Sequence, residues 1–179
     1  MADVKPLDPE ILQFSFQDDG TIPNNDKFAL IVFKQAMDVS TQDLASQFET
    51  LFRDNGWSGS WRNGIYGFHH YHSNTHEVLG CYSGSAQVQF GGPAGETLEF
   101  ATGDVVIIPA GVAHKKLSSS ADFAVVGAYP EGRRWDMNYG KPEEHDAALE
   151  TIKHVELPNA DPVYGPNGPL IQIWKQSQE

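Results

Sequence analysis

From Tyr66 to Tyr129 the chain is cut into short runs of strand character at 66–72, 77–82, 85–90, 96–100, 104–108, 113–117 and 123–129, divided by turns such as Gly91-Gly92-Pro93 and Ala101-Thr102-Gly103-Asp104. Runs this short and this closely spaced bury their apolar faces only in a sandwich, a barrel or a jelly roll. The 17 glycines and 11 prolines of the 179-residue chain supply the turns such a fold requires.

The polar residues of these runs are unusual. Strand parity puts His70 and His72 on one face together with Tyr66 and Phe68, and puts Glu77 on one face with Leu79 and Cys81. Facing inward, two imidazoles and a carboxylate meet inside an apolar, aromatic lining. A further imidazole, His114, follows where the apolar GDVVIIPAG breaks at a Pro and Gly turn. Imidazole and carboxylate together suit first-row divalent ions, and strands hold them with little freedom to lose. On an ion that prefers six ligands, four protein donors leave two neighbouring positions open, which is the arrangement of a catalytic centre; a structural zinc site is closed and usually built from cysteines. Iron or manganese is favoured, and nickel, zinc, cobalt and copper accept the same donors.

The two segments fit a pair of motifs without a gap. Gly64, His70, His72, Glu77 and Gly84 match G-x5-H-x-H-x4-E-x6-G, and Gly103, Pro109, Gly111 and His114 match G-x5-P-x-G-x2-H. In these the chain resembles the cupin superfamily, whose second motif usually closes with Asn where Ser118 stands here. The runs WRNGIYGFHHYHSNTHEVLG, GDVVIIPAGVAHK and GAYPEG extend the likeness to the YjlB-type cupins over most of the chain. That resemblance implies a single β-barrel of the cupin double-stranded β-helix type with a few flanking helices, a bound metal and dimerisation. It implies no particular reaction.

Other candidate residues have plainer readings beside the functional ones. His76 faces away from Glu77 on a regular strand, although a bulge at Ser73-Asn74-Thr75 would bring it toward the metal. His69 belongs to the outer face, and His145 and His154 stand in the tail as solvated side chains. Cys81 is either a redox-sensitive thiol beside the metal or a small buried hydrophobe. Lys116 shares the parity of His114 and either holds an acidic substrate or snorkels to solvent. The pair Arg133-Arg134 reads as surface.

The remainder reads as embellishment of one domain spanning 1–179: strands and a helix over 12–56, a core barrel over about 60–130, and an extension over 131–179. Residues 1–13 read as an arm, Phe14 and Phe16 as a short strand, and Phe28 to Phe33 as a buried one. A helix follows, with Ser40 and Asp43 in capping-box positions, Leu44, Phe48, Leu51 and Phe52 on one face, and Asn55-Gly56 ending it. WSGSWRNG reads as a loop near the barrel mouth, 143–154 as helical and LIQIW at 170–174 as strand-like. Leading strands beside an exposed arm suggest a homodimer.

Composition removes several functions. A formal charge of -12 repels phosphate backbones and anionic membranes, so nucleic acid is a poor partner. No apolar run is long enough for a membrane span, and the N-terminus lacks the apolar stretch of a signal peptide. The 1 cysteine excludes an internal disulfide, which places the protein in the cytoplasm. The function these readings favour is a metal-dependent enzyme acting on a small organic molecule, in its most concrete form a mononuclear non-haem dioxygenase. A redox-neutral isomerase, decarboxylase or lyase, and a module that binds a metal or metabolite without turnover, are the alternatives; no catalytic acid or base is identified.

Overall fold

Residues 5–178 are described by a computed structural model, in which nine strands make two antiparallel sheets. The strands are β1 (Glu10–Phe16), β2 (Asn25–Lys34), β3 (Trp57–Asn63), β4 (Glu77–Ser83), β5 (Ser85–Phe90), β6 (Glu96–Ala101), β7 (Val105–Ile108), β8 (His114–Ser119) and β9 (Ala124–Pro130). The larger sheet runs β1-β2-β7-β4-β9-β3 and the smaller β6-β5-β8, the jelly-roll arrangement that the strand spacing requires. Three helices flank them: α1 (Leu44–Asp54), α2 (His145–Ile152) and α3 (Pro169–Gln176).

Parity decides which core each residue joins. Leu30 and Val32 of β2, Leu79 and Cys81 of β4, and Val106 and Ile108 of β7 turn toward the smaller sheet and pack with Val88, Phe90 and Phe100. Their neighbours Ile31, Phe33, Val78, Val105 and Ile107 turn the other way, against α1 and α3. A sheet covered on both faces has no use for polar alternation, hence the unbroken runs FALIVF and VVII. Helix α1 packs Phe48, Leu51 and Phe52 onto this outer face. At the closest approach Gly80 makes room, since a Cβ there would lie 2.8 Å from the Phe48 ring.

Five expectations change. The stretch 66–72 forms no regular strand: it touches β8 through His70, whose N–H donates to the His114 carbonyl at 3.2 Å while His114 N–H donates back at 3.0 Å, and it touches the 138 region through Tyr71. Alternation nevertheless survives, with Tyr71 fully buried in a cluster with Ile22 and Ile152. The WSGSWRNG loop is instead strand β3, paired with β9 through a register shift at Gly59, whose φ is +70°. Its glycine and serines conceal it because pairing with β9, not local propensity, specifies the strand. The strand-like LIQIW is helix α3: Pro169 opens it, the Asp161 carboxylate accepts the Leu170 N–H at 3.0 Å, and Leu170, Ile171 and Trp174 share the buried side. Of the proposed arm, residues 1–4 lie outside the described residues, while Glu10–Phe16 pair with β2 as β1. Finally, Asp43 alone caps α1, accepting the Ser46 N–H at 3.4 Å, while Ser40 bonds to Asp38.

Candidate metal centre

Glu77 opens β4 and pairs with Ile108 at the end of β7; His114 opens β8 after the turn that β7 runs into. That turn depends on Gly111, where φ is +93° and a Cβ would lie 2.4 Å from the Asn24 carbonyl oxygen. The Gly111 N–H donates to the His72 carbonyl at 2.8 Å, so the glycine of one motif fixes the second histidine of the other.

His72, Glu77 and His114 converge, each buried, with one donor atom from each lying within 4.8 Å of the others. Glu77 lies between the imidazoles, 3.3 Å from His114 Nε2 and 3.6 Å from His72 Nε2. The His70 ring shares the site, its centroid 4.0 Å from that of His114 and 6.1 Å from that of His72, but it stands outside the tight group of three.

A common device sets all three imidazoles. Nδ1 of His72 faces the Asp136 carbonyl at 2.5 Å, that of His70 faces the Phe68 carbonyl at 3.0 Å, and that of His114 faces the Val112 carbonyl at 3.4 Å. A carbonyl only accepts, so each neutral ring carries its hydrogen on Nδ1 and turns the Nε2 lone pair to the cavity, the tautomer a metal ligand needs. Burial works against the Glu77 carboxylate, but His72 and His114 outweigh it and hold its pKa below the usual range. Burial likewise opposes charge on His72, where Glu77 wins and raises the pKa. Burial, with His114 beside it, pushes His70 down to about 3. A proton on His72 and a divalent cation answer the same requirement, countercharge for a buried carboxylate. The donor set therefore fits a metal ion.

The cavity above these residues has a volume of about 360 Å³. Tyr66, Leu79 and Lys116 border it. Phe68 does not: it is exposed and stacks on Tyr66 at 4.9 Å. Cys81 also stays out, buried between the sheets with its S–H toward the Ser83 carbonyl, and burial pushes its thiol up to about 12. His76 is committed elsewhere, since Nδ1 accepts the Ala110 N–H and Nε2 donates to the Glu156 carbonyl, both at 2.9 Å. His69 is half-buried and outside the cavity. His145, expected to be solvated, bridges Asp18 and Asp146 at 2.8 Å each; His154 is exposed beside Glu150. Arg133 and Arg134 are exposed.

Further residues line the cavity, and of these Trp61 lies in the segment that the sequence places near the barrel mouth. Tyr129 reaches the site from β9, and the Trp61 N–H donates to its hydroxyl oxygen at 2.8 Å. Trp61 can lie there because Gly127 has no side chain: a Cβ would sit 2.3 Å from the indole. Trp135 packs against His72 with centroids 5.2 Å apart, in a segment anchored by Asp136, whose carboxylate accepts the Ser73 N–H at 2.7 Å and the Ser73 hydroxyl. The polar GRRWDMN has no periodicity, and its lone tryptophan was the single cue available.

Residues 62–132 match the family model described as Cupin. A protein of Bacillus subtilis (strain 168), called uncharacterized protein YjlB, is 47% identical over 168 residues, 94% of this chain and 99% of that protein. Among solved structures, procruciferin, an 11S globulin from Brassica napus, aligns at 14% identity and a TM-score of 0.37, covering 78% of this chain and 28% of its own. The chain thus spans under a third of that globulin's length. Acireductone dioxygenase from Bacillus anthracis, with a cadmium ion in its active centre, aligns at 15% identity and a TM-score of 0.40, covering 70% of this chain and 82% of its own.

Proposed function

The chain belongs to the cupins of the YjlB type, and from that premise we propose that it is a metal-dependent enzyme acting on a small organic molecule, in its most concrete form a mononuclear non-haem dioxygenase. The observation that carries this reading is the shared tautomer of His70, His72 and His114, three imidazoles whose lone pairs point into one cavity beside the buried Glu77 carboxylate.

His72, Glu77 and His114 would hold the ion, with His70 completing the set. Iron or manganese is the favoured occupant, and such an ion supplies Lewis-acid or one-electron chemistry when bound. The chain's own residues do the rest. Aromatic walls exclude water and orient a flat substrate, and the Tyr129 hydroxyl, whose oxygen accepts the Trp61 N–H, faces Glu77; burial, together with that carboxylate, raises its pKa and keeps its proton in place. That hydroxyl also serves the redox-neutral reading, isomerase or lyase, in which, still protonated, it would hydrogen-bond a substrate oxygen.

A cytoplasmic homodimer completes the proposal. Strand β1 ends the larger sheet with one row of backbone groups open to a second subunit, the 1 cysteine is a buried free thiol, and among the described residues no helix is long and apolar enough to cross a membrane. The test is elemental analysis of protein purified without chelators, followed by oxygen uptake with candidate diols and keto acids after anaerobic Fe(II) loading. Oxygen consumed in step with substrate is the expected result. Turnover without oxygen uptake moves the function to the redox-neutral class, and tight ligand binding with no turnover rejects catalysis.

A further inference from the structure

The cavity has one feature that metal ligation does not use. Two cations border it, and one is already spent: Arg62 donates to Glu49 at 2.5 Å and to Ser46 at 3.1 Å. Lys116 is half-buried, and among the described residues its ammonium makes no ion pair and no side-chain hydrogen bond. Its backbone is held in place, the N–H donating to the Tyr66 carbonyl at 2.9 Å and the residue pairing with Val88 of β5. A cation kept without a partner at the edge of a largely apolar cavity, in a protein of net charge -12, is a place for an anion.

Spacing and walls narrow the anion further. Lys116 lies two residues beyond His114 on β8, about 7 Å along the strand on the same face. A ligand reaching both poles is therefore short. Trp61, Tyr66, Tyr129 and Trp135 present rings to the space between, which favours a flat, unsaturated body over a saturated one. A volume of about 360 Å³ stands at the small end of ligand sites.

We propose that the cavity takes a small planar organic acid, its carboxylate held by Lys116, its ring lying among Trp61, Tyr66 and Trp135, and its far end turned to His72, Glu77 and His114. The placement of that far end rests on the metal-centre reading; the carboxylate anchor does not.

The probes are 3,4-dihydroxybenzoate and its methyl ester, which differ in charge at the carboxyl end alone. Each is titrated into metal-free and Co(II)-loaded full-length protein and followed by tryptophan fluorescence. The wild type should bind the acid about tenfold more tightly than the ester in both forms, Lys116→Met should abolish the difference, and Lys116→Arg should keep it. Equal affinities in the wild type, a preference that survives Lys116→Met, or binding of neither probe overturns the proposal. Elemental analysis of the same samples reports separately on the metal: a protein that holds none and still prefers the acid upholds the anchor and counts against the metal reading.

Discussion

Nδ1 of His72 lies 2.5 Å from the backbone carbonyl oxygen of Asp136, 64 residues further along the chain. The contact turns the histidine's other nitrogen to the cavity, and it is maintained by the Asp136 carboxylate, which holds the N–H and hydroxyl of Ser73 next to that histidine. Asp136→Ala should therefore weaken metal binding about 10- to 100-fold while strand content stays unchanged, because it frees the carbonyl that orients the ligand without removing the ligand. Competition against a coloured chelator measures this, and an unaltered affinity would refute the orienting role.

Gly80 and Phe48 define the fit between α1 and the larger sheet. Gly80→Ala places a methyl group 2.8 Å from the aromatic ring and should cost about 1–3 kcal/mol of stability. Pairing it with Phe48→Leu should return part of that loss. Urea unfolding of the single and double variants checks both, and an Ala variant as stable as the wild type would mean that α1 is free to shift.

His76 is a buried neutral imidazole with both nitrogens occupied, and burial lowers its pKa to about 4 from an ordinary 6.5. The folded protein binds this proton less readily than the unfolded chain does. Its contribution is therefore complete above pH 6.5 and lost as the pH falls to about 4, a loss of about 3 kcal/mol. His76→Gln keeps a donor and an acceptor but does not titrate. Unfolding curves of chelator-treated wild type and variant should diverge across that window; parallel losses would show that the imidazole ionises freely in the native state.

Cys81 should ignore aromatic disulfide reagents in the native protein, since its thiol is buried and pushed up to about 12. Full denaturation should release 1 reactive thiol per chain. Native labelling within minutes would restore the redox-sensitive reading.

The parts of the site that parity governs were readable in advance. Glu77, Leu79 and Cys81 share a face of β4 as alternation requires, and the motif spacing brought His72, Glu77 and His114 together from distant segments. What parity cannot supply is where an inward face ends: Cys81 points inward too, yet it lies too deep to reach the cavity. Trp61 stands in the segment that the sequence places near the barrel mouth, but the way it, Tyr129 and Trp135 reach the cavity has no counterpart in the sequence. Trp61 reaches the cavity through the missing side chain of Gly127, and Trp135 through the grip of Asp136 on Ser73; such relationships exist only once the chain has folded. The same holds for α3, whose apolar residues suit a strand until Gly168-Pro169 and Asp161 set a helical start.

Helix α3 belongs to the site more closely than its distance along the chain suggests. Trp174 lies 4.8 Å from the His76 ring and stacks on Phe28 at 4.6 Å, while the Glu156 carbonyl holds the outer nitrogen of the same imidazole. Helix α3 and the Glu156 region thus buttress the residue adjoining Glu77. Trimming the protein behind its barrel would not yield a minimal version of it, because the support removed is what keeps the ligand loop in shape.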